Sequence, residues 1–248
     1  MEHGHGSMLP HDRVGHVGHV GAGPHDRAVQ TILDTALLAD QVAAAFYYAG
    51  LTTPAIIGDR RLAGGSFDPN RPGLPPGGNP SHVHYLQAAL DAEVKHADIL
   101  VKAGARGGVT YAYVSTTALG RLGVSPDTAS FLGLMDTLQT ILVGLYNVAA
   151  FDLLQRRQVD LAVVTAGMAG VQAEHRMLGR VISALMPANN LTLEAQPFAT
   201  VGAARAVLQP YLTGQGLPGA VRAVKVPTRV DTARVVGRYG THDVQRYL

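Results

Sequence analysis

Apolar residues recur at three- and four-residue intervals through four long stretches of the chain, the spacing that lays a continuous apolar stripe along an α-helix. In the first, about 28 to 50, Val29, Leu33, Ala36, Asp40, Ala44 and Tyr47 share one stripe, and Gly50 stands where a helix stop is expected. The second starts from a cap at Asn79 or Ser81 and runs to about Gly104, with Val83, Leu86, Leu90, Glu93, Ala97 and Leu100 in step. The third, about 126 to 157, opens on "SPD", with Ser125 at the cap and Pro126 in the first turn. It is apolar on two sides, as suits a helix central to a bundle. The fourth, about 159 to 186, carries Leu161, Val164, Met168, Val171, His175, Leu178, Ile182 and Leu185, and ends before Pro187.

Residues 51 to 80, with "GGSFDPNRPGLPPGGNP", are dense in Gly and Pro and are expected to be a loop, because proline fixes φ and removes donors. Residues 105 to 125 are a mixed connection long enough to pass from one end of a bundle to the other. The expected fold is therefore all-α: a four-helix bundle with a long crossover between helices two and three, and a short fifth helix near 200 to 213. Alternating valines in "AVRAVKVPTRVDTARVVGRY" predict extended structure after it. The chain divides into a Gly/His-rich arm, 1–27, a helical body, 28–213, and a basic extended arm, 214–248.

Composition agrees with a soluble globular chain: 248 residues, 47% hydrophobic and 15% charged, with mean hydropathy +0.12. No run of about 18 uninterrupted apolar residues occurs, so no transmembrane segment is expected. "MEHGHGSMLPHDR" lacks a basic start followed by an apolar core, so no secretory leader is read and the compartment is left open. With no cysteine, disulfides, thiolate metal sites and cysteine nucleophiles are excluded. The net charge of +2 is mild, but residues 219–248 set Arg222, Lys225, Arg229, Arg234, Arg238 and Arg246 against Asp231 and Asp243. Aromatic residues do not interleave with these charges, so nucleic acid is not the expected partner. A solvated or subunit-facing tail is.

Polar residues interrupt the apolar stripes at matching levels. Asp40 comes from the first helix, Glu93 and His96 from the second, Gln139 from the third, and Gln172 and His175 from the fourth. In a four-helix bundle these side chains meet. Glu174 lies off the stripe and is expected in solvent or at a subunit contact, and His82 and His84 fall on different faces at a helix start. The arm histidines at 3, 5, 11, 16, 19 and 25 are separated by glycines that preorganise nothing, and "GARGGV" lacks the Gly-Lys-Ser/Thr end of a phosphate loop.

The order of "ILDTALLADQVAAAFYYAG", "AALDAEVKHADIL", "ASFLGLMDTLQTILVGLYNVAAF", "VQAEHRMLGRVIS" and "PFATVGAARAVLQPYL" over residues 30 to 212 resembles the ferritin-like superfamily, and within it the desiccation-related family. Di-metal members of that superfamily use a Glu from each of two helices and Glu-x-x-His from each of the other two. The resemblance maps Glu93 and His96 onto one intact Glu-x-x-His. It maps Gln172 and His175 onto the other, Gln139 onto the third-helix glutamate and Asp40 onto the first-helix acid, with Ala43 and Ala45 where relatives carry acids.

A pair of divalent ions needs about four carboxylates, and Asp40 and Glu93 supply two. Di-iron redox chemistry is accordingly not expected. One divalent ion, iron, manganese or zinc, on Asp40, Glu93, His96 and His175 would be charge-balanced. Without metal, the same groups and the two glutamines would form a hydrogen-bonded core network. The leading expectation is a non-catalytic ferritin-like structural protein with a degenerate metal site. It assembles into a homo-oligomer or polymer through its arms, "VRAVKV" adding a strand to a neighbour. The competing expectation is a metal-storage or oxidoreductase protein that uses the residual site.

Overall fold

The structure, a computed structural model, describes residues 26–59, 62, 81–115, 128–185, 187–189 and 198–236, with 81, 128 and 129 in backbone only. The expectations for the histidine arm up to residue 25, the "SPD" start, Asn79, Arg238 and Arg246 lie outside these residues. In chain order the described elements are α1 (Arg27–Leu51), α2 (Pro54–Ile57), α3 (Ser81–Lys102), β1 (Tyr111–Ser115), α4 (Thr128–Gln155), α5 (Val159–Ile182), α6 (Val201–Thr213), β2 (Val221–Lys225) and α7 (Arg229–Val236). The described chain is mostly helical, with few strands, as an all-α class requires. The loop expected over 51 to 80 is corrected at its start, where Pro54 opens the short helix α2 in the first-turn position that proline tolerates.

Local chemistry sets the helix ends. Asp26 caps α1 by accepting the Val29 N–H at 2.8 Å, and Thr200 caps α6 through the Ala203 N–H at 3.1 Å. Gly214, at φ 75°, closes α6 in the left-handed conformation that glycine adopts without strain. Gly50 does not stop α1, which continues to Leu51 with Thr52 as cap. A Cβ at Gly50 would sit 2.3 Å from Phe131 Cε2, and Phe131 stacks on Phe46 with centroids 4.5 Å apart. The glycine therefore serves the α1–α4 contact.

Specific contacts give the helix directions. Gln30 and Asp34, early in α1, bond Gly104, Arg106 and Gly107 just past the end of α3, so α1 and α3 are antiparallel. Late α1 meets early α4 through Phe46–Phe131, and early α1 meets late α4 through Asp26–Arg156. α4 and α5 form a hairpin, with Asp136 beside Arg176 and Arg180. α5 also touches α3. α3 thus ends at the start of α1, whereas α4 begins at the end of α1. The expected crossover lies partly outside the described residues, which resume at Thr128 after Ser115.

After α3, β1 pairs antiparallel with β2, Ala112 opposite Val224 and both buried. Residues 221–225 are extended, as their alternation predicts. The expectation of a continuously extended C-terminal arm is corrected, because residues 229–236 form α7 and pack on α3, where Gln87 donates to the Val235 carbonyl at 2.7 Å. Arg229 pairs with Asp98 on α3. Among the described residues this tail folds back on its own chain. By length and composition α4 could cross a membrane, with hydropathy 1.4 over Ser130–Gln155, but it lies in the core, where burial on several sides demands the same composition.

Candidate metal centre

All six polar residues expected to face inward are buried, and they meet midway along the helices. Glu93, fully buried on α3, is the hub. Its Oε2 accepts from Gln172 Nε2 at 2.9 Å. Its Oε1 lies 3.1 Å from His175 Nδ1 and accepts from Gln139 Nε2 at 3.4 Å. His96, one helical turn on, holds its Nδ1 3.9 Å from Glu93 Oε2 and 3.4 Å from Gln172 Nε2. From α1, Asp40 receives the Tyr146 hydroxyl, 2.6 Å from each carboxylate oxygen. Ligand-capable atoms of Asp40, Glu93 and His96 lie within 4.8 Å of one another, so this buried group could hold a metal ion.

The electrostatics of the group are asymmetric. Burial, and then the charge of Glu93, push the Asp40 carboxyl well above its ordinary 3.8, although Tyr146 opposes the shift. Glu93 is lowered from its ordinary 4.5: burial, its largest single influence, raises it, but the hydrogen bond and charge of His175, with His96 and Gln172, outweigh that. The opposite directions of these shifts make Asp40 the better holder of a proton and Glu93 the better holder of the charge. Burial also holds His96 below its ordinary 6.5, which favours the neutral imidazole that a metal requires.

Of the four expected ligands, Asp40, Glu93 and His96 converge, and His175 reaches the group through its bond to Glu93. Two residues not assigned to the site belong to it. Tyr146 holds Asp40, and Tyr47 accepts from Gln139 Nε2 at 3.0 Å and meets the His175 ring edge-on, centroids 6.0 Å apart. Each tyrosine lies two helical turns after a polar site residue of its own helix, Asp40 to Tyr47 and Gln139 to Tyr146. That spacing puts them on the same stripe and was the available signal. Glu174 is exposed, as expected. In "GARGGV" the Arg106 and Gly107 amides donate to Asp34 Oδ1 at 2.6 and 3.0 Å, and the Val109 amide to Gln41 Oε1 at 2.7 Å.

No family model, curated protein or solved structure matches the chain. The donor set does not fit two divalent ions, because Gln139 and Gln172 are neutral and Glu93 is already shared among three donors. It does fit one: two carboxylates balance a divalent charge, and imidazole and carboxylate together suit manganese, iron or zinc.

Proposed function

We propose that this protein is a non-catalytic, ferritin-like helical protein whose core binds one divalent cation through Asp40, Glu93 and His96, with His175 orienting Glu93. The observation that carries this reading is the approach of two fully buried carboxylates with no Lys or Arg among the described residues that bond them. Charge of one sign in a low-dielectric interior is costly unless a counter-ion or a proton supplies the balance. A divalent cation would displace the shared proton and tie α1 to α3. It would act there as a structural cross-link, with two carboxylates neutralising it.

The test is elemental analysis of protein purified without an affinity column, together with melting in the presence of manganese, iron(II) or zinc. About one ion per chain is expected, and about 2.7 kcal/mol of added stability at a hundredfold excess over Kd. Glu93→Gln and His96→Ala should abolish both. A chain that holds less than about a tenth of an ion, and melts identically with each metal, is not a cation-binding protein.

A second reading, a dry structural network, is supported by the donors that Glu93 receives on both carboxylate oxygens and by the Tyr146 hydroxyl set between the two of Asp40. Assembly through the arms is part of the same non-catalytic proposal. β2 is engaged by β1 of its own chain, so a strand exchange would have to replace that pairing.

A further inference from the structure

Gln139 and Gln172 each present a carbonyl oxygen, Oε1, that is fully buried and finds no hydrogen-bond partner among the described residues. The side chains are 1% and 0% exposed, so solvent does not supply the missing donor. Buried amide oxygens are rarely left this way, because an unmade hydrogen bond in the interior is expensive. Both amides instead direct their Nε2 donors at Glu93, one to each carboxylate oxygen. These donors occupy the lone pairs that a cation on Glu93 would need.

Turning a glutamine amide over exchanges Oε1 and Nε2 with almost no change in shape. The positions now held by nitrogen lie 2.9 Å from Glu93 Oε2, 3.4 Å from Glu93 Oε1 and 3.4 Å from His96 Nδ1. Neighbouring donors around an octahedral cation with bonds of about 2.1 Å stand about 3 Å apart. The Gln172 position, 2.9 Å from Glu93 Oε2, matches such an edge, and the two 3.4 Å separations are somewhat longer than one, so the shell must draw in around the ion. Turned over, Gln139 Oε1 would also face the Tyr47 hydroxyl, which could then donate instead of accept.

We infer that Gln139 and Gln172 are themselves cation ligands, their amides turning to present Oε1, and that they shift the site's preference toward an oxygen-seeking ion such as manganese(II) and away from zinc. This rests on the cation reading of Asp40, Glu93 and His96 given above. The set would hold two carboxylate oxygens, two amide oxygens and one imidazole nitrogen. Carboxylate and carbonyl donors favour magnesium, calcium and manganese, whereas imidazole-rich sets favour zinc and copper. The two glutamines then do what a purely structural network would not need: they add neutral oxygen donors without exceeding the charge of one divalent ion.

The experiment measures manganese(II) binding from the loss of its free aqueous paramagnetic resonance signal, and zinc binding by competition with a chromophoric chelator. It uses the full chain and the variants Gln139→Met, Gln172→Met and Glu93→Gln. Methionine keeps the length and apolar volume of glutamine and removes the oxygen. Each methionine variant is expected to weaken manganese about tenfold or more and zinc by less than about threefold, while Glu93→Gln binds neither. Methionine variants that bind manganese as the parent does, beside a Glu93→Gln that fails, would overturn the role of the glutamines and leave the site standing. A Glu93→Gln that binds as the parent does would overturn both. Should a methionine variant not fold, Gln172→Glu carries the test: tighter manganese binding supports the placement of that atom on the ion, and unchanged or weaker binding refutes it.

Discussion

At the scale of the residue, Asp40 separates the cation reading from the dry network. Its folded pKa is raised, by burial first and Glu93 second, so its contribution to stability is complete below the ordinary value of 3.8 and is lost as pH climbs toward the folded value. Asparagine keeps an oxygen to accept from Tyr146 and gains an amide to face Glu93. Metal-free Asp40→Asn is therefore expected to melt above the parent, by a margin that widens as pH rises above about 4. If Asp40 is a ligand, the order reverses when cation is added, and affinity in the variant falls by about tenfold or more. Thermal melts across pH, with and without manganese, check both parts. Much of this site was legible in the sequence, because polar residues on an apolar helical stripe have nowhere to point but inward. The tyrosines were harder to assign, since a phenol on such a stripe reads first as apolar bulk and only a contact shows which polar group its hydroxyl serves.

Helices were legible as elements for the same reason that they are stable: their apolar spacing is written locally. The four long helices lie close to where the periodicity places them, and the direction of each followed from a few contacts at its ends. Gly50 was misread because a glycine near a helix end has two meanings, and only the facing helix distinguishes them. Alanine there must push the Phe131 ring off Phe46, and it is expected to cost about 1–3 kcal/mol in urea unfolding. Phe131→Leu in the same chain should recover part of the loss. Gly167 gives the opposite sign: it is exposed in mid-α5 and a Cβ there meets nothing within 4 Å. Gly167→Ala should therefore add about 0.5–1 kcal/mol by restricting the unfolded chain and favouring helix. The strands were only half legible, since "VRAVKV" alternates visibly, but its partner lies on the far side of α4, α5 and α6 in sequence, and no local pattern names it.

Across the whole molecule, the β1–β2 pair joins the connection after α3 to the chain's end, so the tail that the sequence offered to a neighbour is held where it can close the protein on itself. Whether it closes within one chain or between two is a question of connectivity that a covalent link can answer. Tyr111 and Lys225 are directly paired and both exposed, which makes them replaceable with little loss of packing. The chain has no cysteine, so Tyr111→Cys with Lys225→Cys introduces the only two thiols. Paired antiparallel residues stand about 4.5–5.5 Å apart at Cα, within disulfide range. Closure within the chain predicts an oxidised product that runs as a compact monomer on a non-reducing gel and gains up to about 4.7 kcal/mol from the large loop it closes. A strand-exchanged assembly would instead trap covalent dimers or longer chains, in proportion to the exchanged fraction. Monomer linkage at every protein concentration would end the strand-exchange proposal while leaving the metal centre untouched, because Asp40, Glu93 and His96 all sit on α1 and α3, and neither strand supplies a ligand.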